Sequence, residues 1–262
     1  MWSYRHSGFS VHQIPALNDN YIYLIDVDNS DMMAVVDPAD AAPVMEACRS
    51  IGKPVTHILN THHHWDHTDG NSSLKAAFGC QVVGAAVDAA RIPEIDCEVS
   101  ESSRLQLGGI DIRILFVPGH TRGHIAFLLQ DALFCGDTLF GGGCGRIFEG
   151  TAEQMWNSLS ILAGLDDATR VYCAHEYTLA NLRFARSVDP ENSALTARIS
   201  HDTQRRMKKE PTIPSNIGLE RLTNPFLRPA DREFCTGYAA LHNIPADPLS
   251  VFAHLRASKD RA

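Results

Sequence analysis

Four histidines fall within six residues of one another in the first third of the chain. Residues 62–67 read His-His-His-Trp-Asp-His and come directly after a short stretch that is typical of a strand. Alternate side chains of an extended segment share a face, so we expect His62 and His64 to point together and His63 to point away. Asp66 and His67 follow where the chain should turn, and can aim at an adjacent point. Imidazole and carboxylate suit zinc, iron and manganese, so the segment predicts the start of two neighbouring metal sites.

Three further candidate ligands each follow a predicted strand. His120 lies in Pro-Gly-His-Thr, Asp137 in Gly-Asp-Thr, and His175 in Ala-His-Glu-Tyr. Loops that follow strands gather side chains at one edge of a sheet. Any one of these residues alone is a weak signal, but together with the histidine cluster they predict one ligand constellation.

The first 174 residues show short strands with helices between them. The pattern predicts strands at 21–25, 34–36, 57–60, 81–83, 110–117, 125–129, 132–134 and 171–173, with those at 125–129 and 132–134 forming a hairpin. A helix is predicted over 42–50 with Gly52 as its C-cap, and a second helix after the capping box Thr151–Gln154. This order favours an α/β fold of two sheets covered by helices over a doubly wound parallel sheet.

The last 88 residues, 175–262, change in character. Helices are predicted over 177–187 and 194–209, and the prolines at 211, 214, 225 and 229 then predict an irregular stretch without strands. We therefore predict two domains, a catalytic domain over 1–174 and a smaller, mostly helical domain over 175–262.

Charge and composition exclude several classes of protein. Residues 1–174 carry 10 basic and 21 acidic side chains, and residues 175–262 carry 13 and 10. An acidic catalytic part does not suit a nucleic-acid backbone, so no nucleic-acid partner is expected. No apolar run is long enough to span a membrane, and the start of the chain lacks the features of a signal peptide. Seven widely spaced cysteines without a CxxC pair predict a reduced, cytoplasmic protein.

The motifs THHHWDH, PGHT, CGDTLF, GGCGR and AHEYT occur in that order. Their order resembles the metallo-β-lactamase superfamily and, within it, the glyoxalase II (hydroxyacylglutathione hydrolase) family, from about residue 14 to the C-terminal end. The resemblance implies an αββα sandwich with a helical domain over a dinuclear site, in a protein that we expect to be a monomer. By resemblance, the first metal is bound by His62, His64 and His120, the second by Asp66, His67 and His175, and Asp137 bridges the two.

The same resemblance implies which residues bind the substrate. Arg146, Tyr177, Arg256 and Lys259 match positions that contact the glutathione moiety in glyoxalase II. Position 148 is Phe where some relatives have Tyr, which removes one possible hydrogen bond to glutathione. Arg146 stands where some relatives have Lys, and an arginine can bind a carboxylate through two donors.

The resemblance also implies the reaction. We expect hydrolysis of S-D-lactoylglutathione and related S-2-hydroxyacylglutathiones to glutathione and D-lactate, the second step of methylglyoxal detoxification. The expected nucleophile is a hydroxide that bridges two divalent ions, with Asp66 and Asp137 as catalytic ligands. Zinc is the expected metal, and iron or manganese suit the same ligands.

Other functions use similar residues. A glutathione persulfide dioxygenase needs one redox metal with open coordination positions, which the seven-ligand set disfavours. A phosphodiesterase or tRNA-processing nuclease is disfavoured by the acidic catalytic part. A non-enzymatic metal-binding protein would not need cationic side chains suited to glutathione beside its metals. Cys144 is a conceivable nucleophile, but its place in a glycine-rich turn favours a packing role.

Overall fold

A computed structural model describes residues 1–261 of the chain. These residues form two compact units. The N-terminal unit comprises Met1–Phe116 and Arg122–Gly136, and the C-terminal unit comprises Val117–Thr121 and the chain from Asp137 onward. The predicted domain boundary near residue 174 rests on sequence composition and stays a prediction.

The N-terminal unit contains a seven-stranded sheet in which the strands follow their order in the chain. Its strands are β1 (Trp2–Arg5), β2 (Phe9–Ala16), β3 (Asn20–Val27), β4 (Met33–Val36), β5 (His57–Leu59), β6 (Gln81–Ala85) and β7 (Cys97–Val99). The first four strands pair antiparallel, and β4 to β7 pair parallel. The parallel strands therefore end at the same edge of the sheet.

A second set of strands in this unit pairs antiparallel throughout. It consists of β8 (Leu105–Leu107), β9 (Ile110–Phe116), β10 (Ile125–Leu129) and β11 (Ala132–Gly136). The unit's helices are α1 (Ala41–Ile51), α2 (Trp65–Thr68) and α3 (Asn71–Phe78), with a 3₁₀ turn at Ala86–Asp88. The predicted hairpin of β10 and β11 is confirmed.

The side-chain alternation of β3 shows how the layers pack. Ile22 and Leu24 belong to a buried apolar cluster that also contains Val44 of α1 and Leu74 of α3. The ring of Tyr23, on the opposite face of the strand, lies 5.6 Å from the ring of Phe134 in β11. The first sheet thus has helices on one face and the second set of strands on the other.

The C-terminal unit contains two strand pairs and most of the helices. Its strands are β12 (Leu139–Phe140), β13 (Gly143–Cys144), β14 (Arg170–Cys173) and β15 (Ser215–Asn216). Its helices are α4 (Ala152–Ala163), α5 (Thr178–Val188), α6 (Ser193–Met207), α7 (Ile217–Thr223), α8 (Arg232–His242) and α9 (Pro248–Asp260), with a 3₁₀ turn at Arg228–Ala230. Aromatic contacts such as Trp156 with Phe252, at 5.8 Å between ring centroids, pack α4 against α9.

The proline-rich stretch that the sequence predicts to be irregular and strandless is partly regular. Strand β15 pairs antiparallel with β14, and α7 follows it directly. The side chain of Asn216 caps α7 by accepting from Leu219 N, and Ile217 is fully buried. A two-residue strand and a seven-residue helix are too short to give a periodic pattern, which is why that prediction was wrong.

Within the described residues no helix is both long enough and apolar enough to cross a membrane.

Candidate active site

The histidine cluster begins where β5 ends and continues into the first turn of α2. The Nε2 atom of His62 lies 2.9 Å from Nδ1 of His64, so the two rings converge as the extended pattern predicts. Asp66 and His67 lie on α2, with Asp66 Oδ2 3.7 Å from His67 Nε2. The ring centroids of His62 and His67 are 4.1 Å apart. Four candidate ligands of the N-terminal unit are therefore gathered at one edge of the first sheet.

Asp37 sets the orientation of two of these imidazoles from behind. Its carboxylate accepts hydrogen bonds from the backbone N and the hydroxyl of Thr61, and Oδ2 lies 2.9 Å from Nδ1 of His67. Because a carboxylate only accepts, Nδ1 of His67 carries the proton. The Thr61 hydroxyl donates its proton to Asp37, so its oxygen can only accept in the 3.1 Å contact with Nδ1 of His62. Nδ1 of His62 is therefore assigned as the protonated nitrogen of that ring. Both rings then present a deprotonated Nε2, the form that binds a metal.

His63 and His124 have other surroundings. His63 turns towards the buried carboxylate of Asp88, at 3.1 Å, and not towards the ligand cluster. His124 is fully buried and stacks on His62, with ring centroids 4.6 Å apart. Both residues therefore support the cluster without joining the candidate ligands.

The C-terminal unit gathers three further candidate ligands around Asp137. One oxygen of Asp137 lies 3.3 Å from Nε2 of His120, and the other lies 3.4 Å from Nε2 of His175. All three side chains are buried. A carboxylate with a different imidazole at each oxygen has the arrangement of a ligand that bridges two ions.

The donor sets fit divalent metals. Two atoms bound to one tetrahedral zinc at the usual bond lengths lie roughly 3.3 Å apart. The donor atoms within each unit lie near that separation. The ring nitrogens of His62 and His64 are 2.9 Å apart, and the oxygens of Asp137 lie 3.3 and 3.4 Å from the imidazole nitrogens beside them. Imidazole nitrogens and carboxylate oxygens without thiolates suit zinc, iron and manganese alike.

A glycine-rich loop positions His120. The Nδ1–H of His120 donates to the carbonyl oxygen of Arg146 at 2.8 Å, which directs Nε2 towards Asp137. A Cβ on Gly145 would collide with the carbonyl oxygen of Asp137 and lie 3.2 Å from Nδ1 of His120. Glycine is required here because the backbone passes directly against two candidate ligands.

A pocket of about 420 Å³ in the C-terminal unit contains two of these ligands and all four predicted substrate-binding residues. It is lined by His120, Asp137, Phe140, Cys144, Gly145, Arg146, Phe148, Tyr177, Ala180, Asn181, Arg256 and Lys259. Three cationic side chains thus line the same pocket as two candidate metal ligands.

The three cations of the pocket differ in their surroundings. Arg146 is exposed. Arg256 is buried, donates to the carbonyl oxygen of Cys144 at 3.0 Å and pairs with Asp260 at 2.9 Å. Burial, followed by the positive charges of Arg256, Arg183 and Arg146, lowers the pKa of Lys259 from its usual value. The pocket therefore holds concentrated positive charge that an anionic ligand would neutralise.

Two aromatic side chains flank the candidate ligands in this unit. The ring of Tyr177 is stacked on His175, with centroids 4.8 Å apart and planes 2° apart. The ring of Phe148 lies 5.1 Å from that of His120 and is 62% exposed. Phe148 therefore offers a ligand an aromatic face but no hydroxyl.

The buried thiols of this unit are not activated as nucleophiles. Burial raises the pKa of Cys144, and it raises the pKa of Cys173 to about 12. A nucleophilic cysteine needs the opposite shift, because the thiolate is the reactive form. The packing role predicted for Cys144 agrees with this environment.

Comparison with known proteins identifies the class. The metallo-β-lactamase superfamily model matches residues 18–106 and 107–175, and the model of the hydroxyacylglutathione hydrolase C-terminus matches residues 176–262. The structure resembles ETHE1 from Myxococcus xanthus, with a TM-score of 0.66, 25% identity, and coverage of 95% of this chain and 97% of that one. A metallo-β-lactamase from Staphylococcus aureus shares the fold, with a TM-score of 0.64 at 22% identity, covering 97% of this chain and 72% of that one. The chain therefore has the metallo-β-lactamase fold, as the sequence predicts.

Relatives of similar sequence are more specific. The hydroxyacylglutathione hydrolase of Rhodospirillum rubrum is 48% identical and covers 97% of this chain and 99% of its own length. That of Methylococcus capsulatus is 51% identical, with coverage of 95% and 96%. The chain belongs to the hydroxyacylglutathione hydrolase family, a family of metal-dependent hydrolases.

Beside the histidine cluster, sequence analysis missed Asp37. The signal was present, because Asp37 directly follows strand β4, the parallel neighbour of the strand that leads into the histidine cluster. A carboxylate at the end of a parallel strand faces the same edge as the loop of the next strand.

Proposed function

We propose that this chain hydrolyses S-D-lactoylglutathione and related S-2-hydroxyacylglutathiones, giving glutathione and D-lactate, as the second step of methylglyoxal detoxification. The observation that carries the proposal is the pocket in which Arg146, Arg256 and Lys259 lie with His120 and Asp137. Glutathione has two carboxylates, which these cations can bind, and its thioester would then lie beside candidate metal ligands. The names of the relatives support the same substrate.

We propose further that seven side chains hold two divalent metal ions, for which zinc is our first choice and iron or manganese are alternatives. His62, His64 and His120 would hold one ion, Asp66, His67 and His175 the other, and Asp137 both. The separations found within each unit support this assignment. When bound, the two ions supply hydroxide at neutral pH and polarise the thioester carbonyl.

The chain's own residues bind and orient the substrate in this proposal. Arg146 and Lys259 neutralise its carboxylates, and Tyr177 forms an aromatic wall against His175. Water adds to the thioester carbonyl, the C–S bond breaks, and glutathione leaves as a thiolate that takes up a proton. Asp66 and Asp137, besides their roles as ligands, provide carboxylates that can hold the proton released by water.

We propose that residues 1–174 supply most of the ligands and that residues 175–262 supply most of the glutathione contacts. We also propose a monomer in the cytoplasm. All seven cysteines are free thiols, which suits a reducing compartment.

The test is hydrolysis by the purified holoprotein of two thioesters of D-lactate, one with glutathione and one with N-acetylcysteamine, which lacks the carboxylates. We expect turnover of the first with a much lower KM. Arg146→Ala should raise that KM about ten-fold, the effect of one charge-assisted hydrogen bond. Arg221→Ala is the matched control, because Arg221 pairs with Asp167 outside the pocket.

Two results would contradict the proposal. Equal KM values for the two thioesters would refute glutathione recognition by the cationic pocket. Absence of thioester hydrolysis, together with oxidation of glutathione persulfide by protein that holds one iron, would instead identify the dioxygenase alternative.

A further inference from the structure

The backbone of the loop that carries Arg146 is held by side chains. We name residues 140–146, which include β13, the pocket loop. Asn224 donates through Nδ2 to the carbonyl oxygen of Gly143 at 2.8 Å and to that of Phe140 at 3.3 Å. Glu220 accepts from the backbone N of Gly142 at 2.9 Å through Oε2.

Glu220 and Asn224 act on the loop as a pair. Both side chains are fully buried, and Asn224 Nδ2 also donates to Glu220 Oε2 at 3.0 Å. The pair lies at the C-terminal end of α7, one helical turn apart, so both side chains reach the same side of the helix. No residue of this pair lines the pocket.

The other oxygen of Glu220 faces away from the loop and is fixed separately. Oε1 accepts from the buried guanidinium of Arg198 on α6 at 2.6 Å, and from the hydroxyl of Ser215. Arg198 in turn donates to Thr223 at 2.6 Å. One carboxylate therefore joins the loop to a buried framework of α6, α7 and β15.

The far end of the pocket loop meets the candidate ligands. The carbonyl of Arg146 accepts from Nδ1–H of His120, and Gly145 and Arg146 line the pocket. A displacement of the loop would therefore move a substrate-binding cation and the acceptor that orients His120 together.

We propose that Glu220 and Asn224 are positioning residues that set the pocket loop, and through it Arg146 and His120, for glutathione binding. This inference rests on the proposed function. Neither residue lines the pocket or touches the substrate. Binding sites lose affinity steeply when a contact is misplaced by a fraction of an ångström to one ångström. The cost of losing the pair should therefore appear in substrate binding and not only in stability.

The test is Asn224→Ala in the metal-loaded protein. We expect KM for S-D-lactoylglutathione to rise about ten-fold while kcat per bound metal ion changes much less. The dissociation constant of S-hexylglutathione, which has no thioester to hydrolyse, should rise by the same factor in calorimetry. Asn224→Asp keeps the size but replaces the donor by an acceptor beside the loop carbonyls and Glu220, and an increase at least as large is expected.

Thr223→Val is the matched control. Thr223 is the neighbouring residue, equally buried, and its hydroxyl accepts from Arg198 in the same framework without touching the loop. We expect a lower Tm for this variant with an unchanged KM and an unchanged dissociation constant. An equal rise in KM for Thr223→Val and Asn224→Ala would show a merely structural role and overturn the inference.

Amide exchange in the wild-type protein tests the inference without a variant. The Gly142 amide, bonded to a buried carboxylate, should exchange as slowly as the amides of α7. If the Gly142 amide exchanges as fast as the amides of the exposed turn at Gly108–Gly109, the loop is not fixed. Unchanged S-hexylglutathione binding in folded Asn224 variants would likewise contradict the positioning role. Failure of the wild type itself to bind S-hexylglutathione would refute the proposed function, whereas these outcomes refute the positioning role alone.

Discussion

At the scale of the residue, the buried carboxylate of Asp37 fixes which ring nitrogen is protonated in two imidazoles, those of His62 and His67. It lies 2.9 Å from His67 directly and reaches His62 through the hydroxyl of Thr61. Both tautomers follow from this one acceptor, since a carboxylate cannot donate. Carboxylates placed behind metal-binding histidines fix the orientation and raise the basicity of the ring.

We predict that Asp37→Asn lowers metal affinity roughly 10- to 100-fold, because the amide can donate and no longer holds the His67 proton in place. Metal content after dialysis against a graded chelator measures the effect. Asp88→Asn is the matched control, because Asp88 is equally buried and faces His63, which is not a proposed ligand. Equal loss of metal in both variants would mean that any buried carboxylate near the cluster matters, and not Asp37 through His67.

Lys259 predicts how the KM for the substrate changes with pH. Its pKa is lowered by burial and by neighbouring arginines, so it loses its charge at a lower pH than an ordinary lysine with its value of 10.5. The cation is present below that lowered pKa and lost as pH rises through it. KM for the anionic substrate should therefore rise on the alkaline side, before pH 10.5. Lys259→Arg, which stays charged, should flatten the rise, and a flat wild-type profile up to pH 10.5 would exclude a role for Lys259 in binding.

At the scale of the element, helix α4 shows how far a local signal can be trusted. Its capping box is predicted from two residues and is present in full, with Gln154 N donating to the side chain of Thr151 and the side chain of Gln154 accepting from Thr151 N. Gly52 likewise ends α1 in the left-handed region, with φ of 81°, as the sequence predicts. Caps are predictable because their hydrogen bonds are made within four residues.

We predict that Thr151→Ala lowers the free energy of unfolding by about 1 kcal/mol, because it removes the acceptor of the cap. For a chain of this size the Tm should fall by about 2–4 °C. Thr236→Ala, an exposed threonine within α8 that donates to a carbonyl one turn before it, is the control and should not lower the Tm. A drop of equal size in the control would attribute the effect to helix propensity or packing and not to the cap.

At the scale of the whole molecule, the sequence predicts most strands of the first 174 residues and the hairpin of β10 and β11, because alternation and turn residues are local. Strands β1 and β2 were not predicted. Strand β1 pairs with β2, and β2 pairs with β3, so these two strands are placed by pairing along the sheet. The short strands β7, β8, β12 and β13, of two or three residues each, were not predicted either. Strand β15 and helix α7 were missed for the related reason that tertiary pairing, and not local propensity, defines such short elements.

The candidate site likewise contains residues that could be predicted from the sequence and residues that could not. The types of the seven proposed ligands follow from motif spacing and resemblance. Asp37 was signalled only by its place directly after strand β4, the parallel neighbour of β5. Glu220 and Asn224 have no motif, since each acts through a neighbour that is distant in sequence, and they become visible only when distances are known.

The most direct test of a dinuclear site is metal titration of the chelated protein with zinc while hydrolysis of S-D-lactoylglutathione is followed. We predict no activity without metal and full activity only as the second ion per chain binds. His62→Ala should hold fewer than two ions and be inactive. Full activity with one ion per chain, or undiminished activity after chelation, would contradict a dinuclear hydrolase.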